Sequence, residues 1–192
     1  MSEQGPNETP PSPSAGGCLK DRETLTVLLL TKDEERRIER CLASVSWADQ
    51  IVVVDAQSRD RTAELCRRAG ATVISRAFSG SFAQERNAGL EAATGEWVLQ
   101  MDADEQVSPG LRRAIERMLS RRDGHVQAYQ AYRRNIFLGH VMRYGGWYHG
   151  HLCLFRRAGA RYEGLVHERL NVRGPIGHLR ADLEHAPFVS LE

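Results

Sequence analysis

From Leu25 onward the chain repeats one unit: a short apolar run, a few polar residues, then a stretch with helical spacing. Leu25–Thr31 and Gln50–Asp55 are near-continuous aliphatic runs, the second with three consecutive valines. Runs this short suit strands buried on both faces, the condition of a parallel sheet covered by helices. Residues 33–45 place Ile38, Leu42 and Val45 on one helical face with charges opposite. A helix over 60–70 closed by Gly70, a strand over 71–76, a helix over 81–94 ending at Gly95 and a strand over 96–101 follow. Pro109–Arg121 reads as a further helix, with Ser108 as N-cap and Pro109 in its first turn. Such alternation with short connections predicts an α/β fold: a mostly parallel, twisted central sheet with helices on both faces.

Beyond about Val126 the pattern changes. Ala128–Phe137 reads as a long strand, 138–150 is rich in Gly and aromatics without a clean period, and short strands are expected over 151–156 and 168–173, with turns at Gly174–Pro175 and Gly177. The second half is therefore expected to be mixed or antiparallel. Residues 1–20 are dominated by Ser, Pro, Gly, Glu and Asn. They are expected to form a disordered tail, because so little apolar surface cannot offset the entropy of ordering. Residues 21–190 are expected to make a single domain, 21–125 as one half and 126–190 as the other.

Lys and Arg number 26 against 25 Asp and Glu, a net charge of +1. No global field exists for holding nucleic acid, so a charged partner must be caught locally. Cys18, Cys41, Cys66 and Cys153 form no CxxC pair, which argues against a zinc site and for a reducing compartment. No apolar run reaches the roughly 18–20 residues of a membrane span, and the first residues lack the basic-then-apolar order of a signal peptide. A cytoplasmic protein is the expectation.

In open α/β sheets ligands bind outside the carboxyl ends of the strands. Here those ends are acidic: Thr31-Lys32-Asp33-Glu34-Glu35, Asp55 with Ser58 and Asp60 behind it, and Asp102-Ala103-Asp104-Glu105. Carboxylates gathered in one crevice repel unless a cation or donors intervene. Asp102 and Asp104 offer hard oxygen ligands suited to Mg2+ or Mn2+ shared with phosphate oxygens; the alternative is an Asp-rich turn capping the next helix. Asp55 has the capping alternative too. GxGxxG and GxxxxGK[ST] are both absent, so phosphates must be held by metal and side chains. On spacing alone Arg86 pairs with a surface carboxylate or reaches back to the crevice.

Taken in order, Thr31-Lys32-Asp33-Glu34-Glu35, Val52-Val53-Val54-Asp55, Arg86-Asn87-Ala88-Gly89, Thr94-Gly95-Glu96-Trp97 and Met101-Asp102-Ala103-Asp104-Glu105 resemble the motifs of family 2 glycosyltransferases. Arg134-Asn135-Ile136-Phe137-Leu138-Gly139, Gly146-Trp147, Leu154-Phe155-Arg156-Arg157, Val166-His167-Glu168 and Leu183-Glu184-His185 are similar to the lipopolysaccharide core glucosyltransferases of the WaaE/KdtX type. The likeness runs from Leu25 to His185. It implies a GT-A fold, Rossmann-like, whose enzymes are inverting and move a sugar, glucose in this subgroup, from a nucleotide-diphospho-sugar to a glycan acceptor such as the lipopolysaccharide inner core.

By the same resemblance Thr31 and Asp55 would hold the nucleobase, uracil being favoured, with Glu34 nearby. Arg86 and Asp102 would contact the donor, Asp104 and His185 would ligate a Mg or Mn cation, and Glu168 would be the catalytic base. Arg143, Trp147 and His167 are assigned to the acceptor side. Tyr148 also fits sugar stacking. Arg133, Arg134 and Arg143 could meet acceptor phosphates, and Arg156, Arg157 and Arg161 could face the inner surface of the cytoplasmic membrane. Ala56 stands where many relatives carry Asp or Ser, and the QxxRW motif of processive synthases is absent. The chain is short for the family, so a C-terminal truncation is expected. Two rival readings are a catalytically weak nucleotide-sugar-binding module and a nucleotidyltransferase, the latter short of glycine after the first strand.

Overall fold

The computed structural model describes residues 22–137, 139–142, 144, 148–164 and 168–188. Its first half is the expected alternation: β1 (Leu25–Thr31), α1 (Ile38–Val45), β2 (Gln50–Asp55), α2 (Thr62–Arg68), β3 (Thr72–Ser75), α3 (Phe82–Ala92) and β4 (Trp97–Asp102). A short β5 (Glu105–Val107) leads to α4 (Pro109–Arg121). Ser108 caps α4 as its composition suggests, its hydroxyl accepting from the Leu111 N–H at 3.1 Å. Then come β6 (Ala128–Phe137), β7 (His140–Val141), β8 (Tyr148–Arg156), β9 (Arg161–Glu163), β10 (Arg169–Asn171) and β11 (Ile176–Phe188).

The main sheet runs β3-β2-β1-β4-β8-β6-β11-β5, with β7 beside β6; β9 and β10 form a separate ribbon. The first four strands are parallel. β8 is antiparallel to both β4 and β6, while β11 is parallel to β6 and antiparallel to β5. The architecture is thus α/β with a largely parallel first half and a mixed second half. Each face of the sheet carries its own core. Leu25, Val27 and Leu29 pack with Ile38, Leu42, Val45, Leu111 and Ile115 on one side. Leu28, Val52 and Val54 pack with Ala83, Leu90, Phe155 and Tyr162 on the other. This two-sided burial is why β1 and β2 read as unbroken apolar runs.

Two local expectations are corrected. The helix expected from Asp33 begins only at Ile38. Asp33 is left-handed (φ 53°), and the residues after it are bound to the loop behind β2, so helical dihedrals start late. The turn expected at Gly177 lies instead inside the 13-residue strand β11. A Cβ at Gly177 would stand 2.5 Å from Cε1 of Tyr129 across the ladder, so this glycine serves a close cross-strand approach.

β2 and β3 are added on one side of β1 and β4 on the other, so the chain reverses its direction of winding between β1 and β4. In doubly wound sheets that reversal opens a crevice at the carboxyl ends of the strands. The register sets Leu30 beside Asp102 and Thr31 beside Asp55, so the acidic ends stand level at that crevice.

Candidate active site

A cavity of about 500 Å³ occupies the crevice. Thr31, Lys32 and Glu34 reach it from β1, Val54 and Ala56 from β2, Asp102, Ala103 and Asp104 from β4, Arg86 from α3, Glu168 from before β10, and His185 from β11. Phe78 and Phe82 stand at its rim with ring centroids 5.0 Å apart.

The wall made by the loops after β1 and β2 is fastened through side-chain-to-backbone bonds. Asp33 N–H donates to Ser58 Oγ (2.9 Å), Arg59 N–H to Asp33 Oδ1 (2.6 Å), Glu34 N–H to Thr62 Oγ1 (2.7 Å) and Glu35 N–H to Asp60 Oδ2 (3.0 Å). Gln57, like Asp33, is left-handed (φ 57°). Two non-glycine residues in that region at one loop pair are strain that this bonding sustains. Asp55 stands behind the wall, only 1% exposed. Its carboxylate accepts from the hydroxyls of Thr31 (3.3 Å), Ser58 (2.5 Å) and Ser75 (3.3 Å) and from Ser58 N–H (3.1 Å). Asp55 thus ties down its own loop and does not cap α2, whose N-cap Arg61 makes no side-chain cap bond, and Thr31 and Ala56 are what face the cavity.

The opposite wall is organised by arginines. Arg86 is buried between two carboxylates: Nη2 lies 3.3 Å from Asp102 Oδ1 and Nε 3.4 Å from Glu168 Oε1. Its guanidinium also lies 5.7 Å from the centroid of the Tyr162 ring. With the Gln100 amide oxygen turned towards it, Arg86 Nη1 donates at 2.8 Å while the amide nitrogen meets the Tyr162 hydroxyl. The surface pairing that spacing alone favoured for Arg86 is not what forms. Arg133 on β6 reaches Asp102 Oδ2 at 3.3 Å and Glu105 Oε1 at 2.7 Å, so it clamps the acidic turn. Glu105 is buried and accepts from the Asp102 N–H at 2.9 Å. Burial, joined by the charge of Asp102 and opposed by Arg133, raises its carboxyl to about 7.

Asp104 and His185 meet with Oδ2 and Nε2 3.2 Å apart. Burial raises the Asp104 carboxyl, but the hydrogen bond and charge of His185, with the charge of Arg133, outweigh it and hold it below the usual carboxylate range. His185 Nδ1 lies 2.5 Å from Asn135 Oδ1. With Nδ1–H donating to that oxygen, Nε2 donates to Asp104 when the ring is charged, and in the neutral ring its lone pair and the carboxylate would together hold a cation. The donor set, one carboxylate oxygen and one imidazole nitrogen with open space beyond, fits a divalent ion whose other ligands are phosphate oxygens and water. Among the described residues no group of three or more His, Cys, Asp or Glu forms a closed metal cage.

Of the residues expected at the site, Thr31, Glu34, Arg86, Asp102, Asp104, Glu168 and His185 line one cavity, and Asp55 backs it. Arg143, Trp147 and His167 lie outside the described residues. Arg156, expected on a membrane-facing patch, is instead partly buried against Glu23 (2.9 Å) and over the Trp97 ring (4.6 Å). Arg157 donates to the Gly95 carbonyl. Asn135 was not anticipated as part of the site, and Arg133 was expected at acceptor phosphates and not on the acidic turn. The alternation Ala131, Arg133, Asn135 along β6 placed them on one face and was the available signal.

Strand order, crevice and acidic strand ends define a GT-A fold. Residues 26–181 match the family described as Glycosyl transferase family 2, and the chain belongs to that family. It is 32% identical over 117 residues to an uncharacterized glycosyltransferase of Rickettsia bellii, covering 60% of this chain and 39% of that protein. It is 27% identical over 168 residues to the lipopolysaccharide core biosynthesis glycosyltransferase LpsC of Rhizobium meliloti, covering 81% of this chain and 60% of LpsC. Among solved structures, the mannosyltransferase PcManGT of Pyrobaculum calidifontis, in complex with GDP-Man and Mn2+, superposes with a TM-score of 0.53 at 25% identity, covering 71% of this chain and 45% of that one. The match thus spans between 39% and 60% of the length of these proteins. Among the described residues no helix is long and apolar enough to cross a membrane.

Proposed function

We propose that the chain transfers a sugar, with inversion, from a nucleotide-diphospho-sugar to a glycan acceptor, with a divalent cation held by Asp104 and His185. The observation that carries this reading is the convergence on one cavity of the Asp104–His185 pair and the Arg86 bridge between Asp102 and Glu168. Thr31, Ala56 and Glu34 border the place for the base, and Asp102, oriented by Arg86 and Arg133, borders the place for ribose and phosphates. When bound by Asp104 and His185, the cation would neutralise charge on the leaving diphosphate.

Glu168 takes the proton of the acceptor hydroxyl as its oxygen attacks the anomeric carbon from the face opposite the diphosphate. The bond from the anomeric carbon to the diphosphate oxygen breaks, the glycosidic bond forms, and the configuration inverts. Arg86 holds Glu168 in orientation from its other side. The resemblance favours uridine as the base and glucose as the sugar, and the likeness to LpsC supports a lipopolysaccharide core acceptor, reached from the cytoplasm at the inner membrane surface. We read residues 22–188 as one catalytic unit whose first half holds the donor and whose second half supplies His185 and the acceptor side. The acidic turn, with no glycine-rich loop after β1, favours this over a nucleotidyltransferase.

The test is a thermal-shift and turnover screen of UDP-, GDP-, ADP- and dTDP-sugars with and without Mn2+. One donor class should stabilise the chain more with Mn2+ than without, and nucleoside diphosphate should be released from it. Asp104→Ala should abolish the Mn2+ increment. A chain that binds no donor, or an Asp104→Ala variant that keeps the full increment, refutes the reading.

A further inference from the structure

Two exposed aromatic rings stand outside the crevice, and no step above uses them. Tyr132 on β6 and Tyr148 on β8 stack with centroids 4.9 Å apart and planes within 5° of parallel, yet are 39% and 42% exposed. The register explains the pairing. Tyr132 stands opposite Gly150 and Tyr148 opposite Arg134, so the tyrosines are diagonal neighbours on one face, and Gly150 has no side chain to cover Tyr132. The Tyr148 hydroxyl donates to Asp182 Oδ1 at 2.8 Å, which fixes the ring. Arg134, from the same face, lies 3.8 Å from Asp182 and 3.5 Å from Glu184.

A flat apolar strip edged by fixed hydrogen-bonding groups is suited to a pyranose. The C–H face of the sugar covers the rings, and its equatorial hydroxyls meet the carboxylates and the guanidinium. The edge carries two carboxylates against one guanidinium, so it favours an uncharged sugar over a phosphorylated or acidic one. Position points the same way. β8 runs antiparallel beside β4 with Leu99 opposite Leu154, and past an irregularity between Leu154 and Leu152 it brings His151 near Asp102 at the carboxyl end of β4. Burial and the charge of Arg133 hold the His151 imidazole below its usual value, and Asp102 and Arg86 also act on it. Tyr148 is three residues further along, roughly 10 Å beyond the carboxyl end of β4 at strand spacing. That is within the reach of a short oligosaccharide whose end lies at Glu168.

We propose that Tyr132 and Tyr148 form a carbohydrate-stacking platform that holds an uncharged pyranose of the acceptor glycan, adjacent to the sugar that receives the transfer. This rests on the glycosyltransferase reading above and deepens it.

The experiment is saturation-transfer NMR on the full chain with methyl β-glucoside, methyl α-mannoside and cellobiose, run beside the UDP/Mn2+ thermal shift. At least one sugar should receive saturation on its ring C–H protons. Tyr132→Ala and Tyr148→Ala should each weaken that binding about tenfold, the scale of one aromatic contact, whereas Tyr148→Phe should keep most of it. The nucleotide shift should be the same in all variants, which also reports that each is folded. The platform is overturned if no sugar is saturated, if removing the rings leaves binding unchanged, or if light scattering shows a dimer that Tyr148→Ala dissociates. Sugar binding lost with the rings in a chain that shows no nucleotide shift would sink the transferase reading and leave the platform standing.

Discussion

Replacing Arg86 by Met tests whether the arginine organises the site or merely lines it. Met keeps much of the apolar stem and removes the guanidinium that faces Asp102, Glu168, Gln100 and Tyr162. Breaking a fully buried ion pair costs about 3–5 kcal/mol because the orphaned charge stays buried. Here the orphans are not fully buried: the side chains of Asp102 and Glu168 are 41% and 24% exposed. Water takes over part of their solvation, so the loss is reduced to roughly 1–3 kcal/mol. For a chain of this size that is a fall in melting temperature of about 2–10 °C. Lys at this position keeps the charge but cannot face two carboxylates with one planar fork, so Arg86→Lys should fall between. Circular-dichroism melts of Arg86→Met, Asp102→Asn and the double variant measure the term directly. The two changes should be non-additive, with a coupling of about 0.5–2 kcal/mol, since each removes the other's partner. Additive melts, or an Arg86→Met variant as stable as the parent, would refute the claim that this bridge organises the crevice.

Glu168→Gln should leave the Mn2+-dependent donor shift near the parent value while transfer falls by about two orders of magnitude or more, the usual range for a general base; unchanged turnover removes Glu168 from that role. The two packed glycines should behave differently. A Cβ at Gly95 would stand 2.6 Å from Thr26 N and 2.9 Å from Leu25 C, backbone atoms in β1, so Gly95→Ala should lose about 3 kcal/mol or more in a denaturant titration. A Cβ at Gly89 meets the Leu28 side-chain end (2.2 Å to Cδ1), which has some freedom to turn. There an overpacking cost of about 1–3 kcal/mol is offset by roughly 1 kcal/mol of helix propensity, so the net loss should be the smaller of the two.

The parallel half was legible because its signals are local. β1, β2 and α4 carry their ends in the sequence: an aliphatic run that stops at Thr31 or Asp55, or a Ser108-Pro109 start. The late start of α1 was not legible, because it depends on Glu34 and Glu35 bonding to Thr62 and Asp60, residues brought near only by the β1–β2 pairing. β11 was missed for a related reason. Its glycine reads locally as a turn, while the strand is held by partners on both sides, β6 in parallel and β5 in antiparallel. The site divides the same way. Asp102 and Asp104 announce themselves by spacing, but Arg133 and Asn135 belong to it only because β6 lies between β8 and β11. The burial of Asp55 behind Ser58 likewise follows from how the loop after β2 folds back over its own strand end.

The charge balance of the crevice supports the proposed cation. Glu34, Glu85, Asp102, Asp104 and Glu168 line the cavity against Lys32 and Arg86. Glu85 is answered from behind by Arg76 at 3.1 Å, and Arg133 answers Asp102 and Glu105 together. Asp104 has the His185 imidazole at 3.2 Å and only the more distant charge of Arg133, on the side proposed for the diphosphate. Two unit charges about 6 Å apart at an effective dielectric of about 20 interact by roughly 3 kcal/mol, so a diphosphate brought beside Asp104 unaccompanied is repelled by several kcal/mol in sum. A divalent ion held by Asp104 and His185 would offset that repulsion, and the Nδ1 contact with Asn135 would orient the imidazole for it. The nearly neutral sequence, +1 over 192 residues, conceals this because its arginines and carboxylates are sorted by the fold. Arg156 and Arg157 are bound at the amino end of β4 to Glu23 and the Gly95 carbonyl, while the carboxyl end of the same strand keeps the acidic excess. A donor bound without metal would have to find its positive partner in Lys32 or Arg86, and Arg86 already serves two carboxylates.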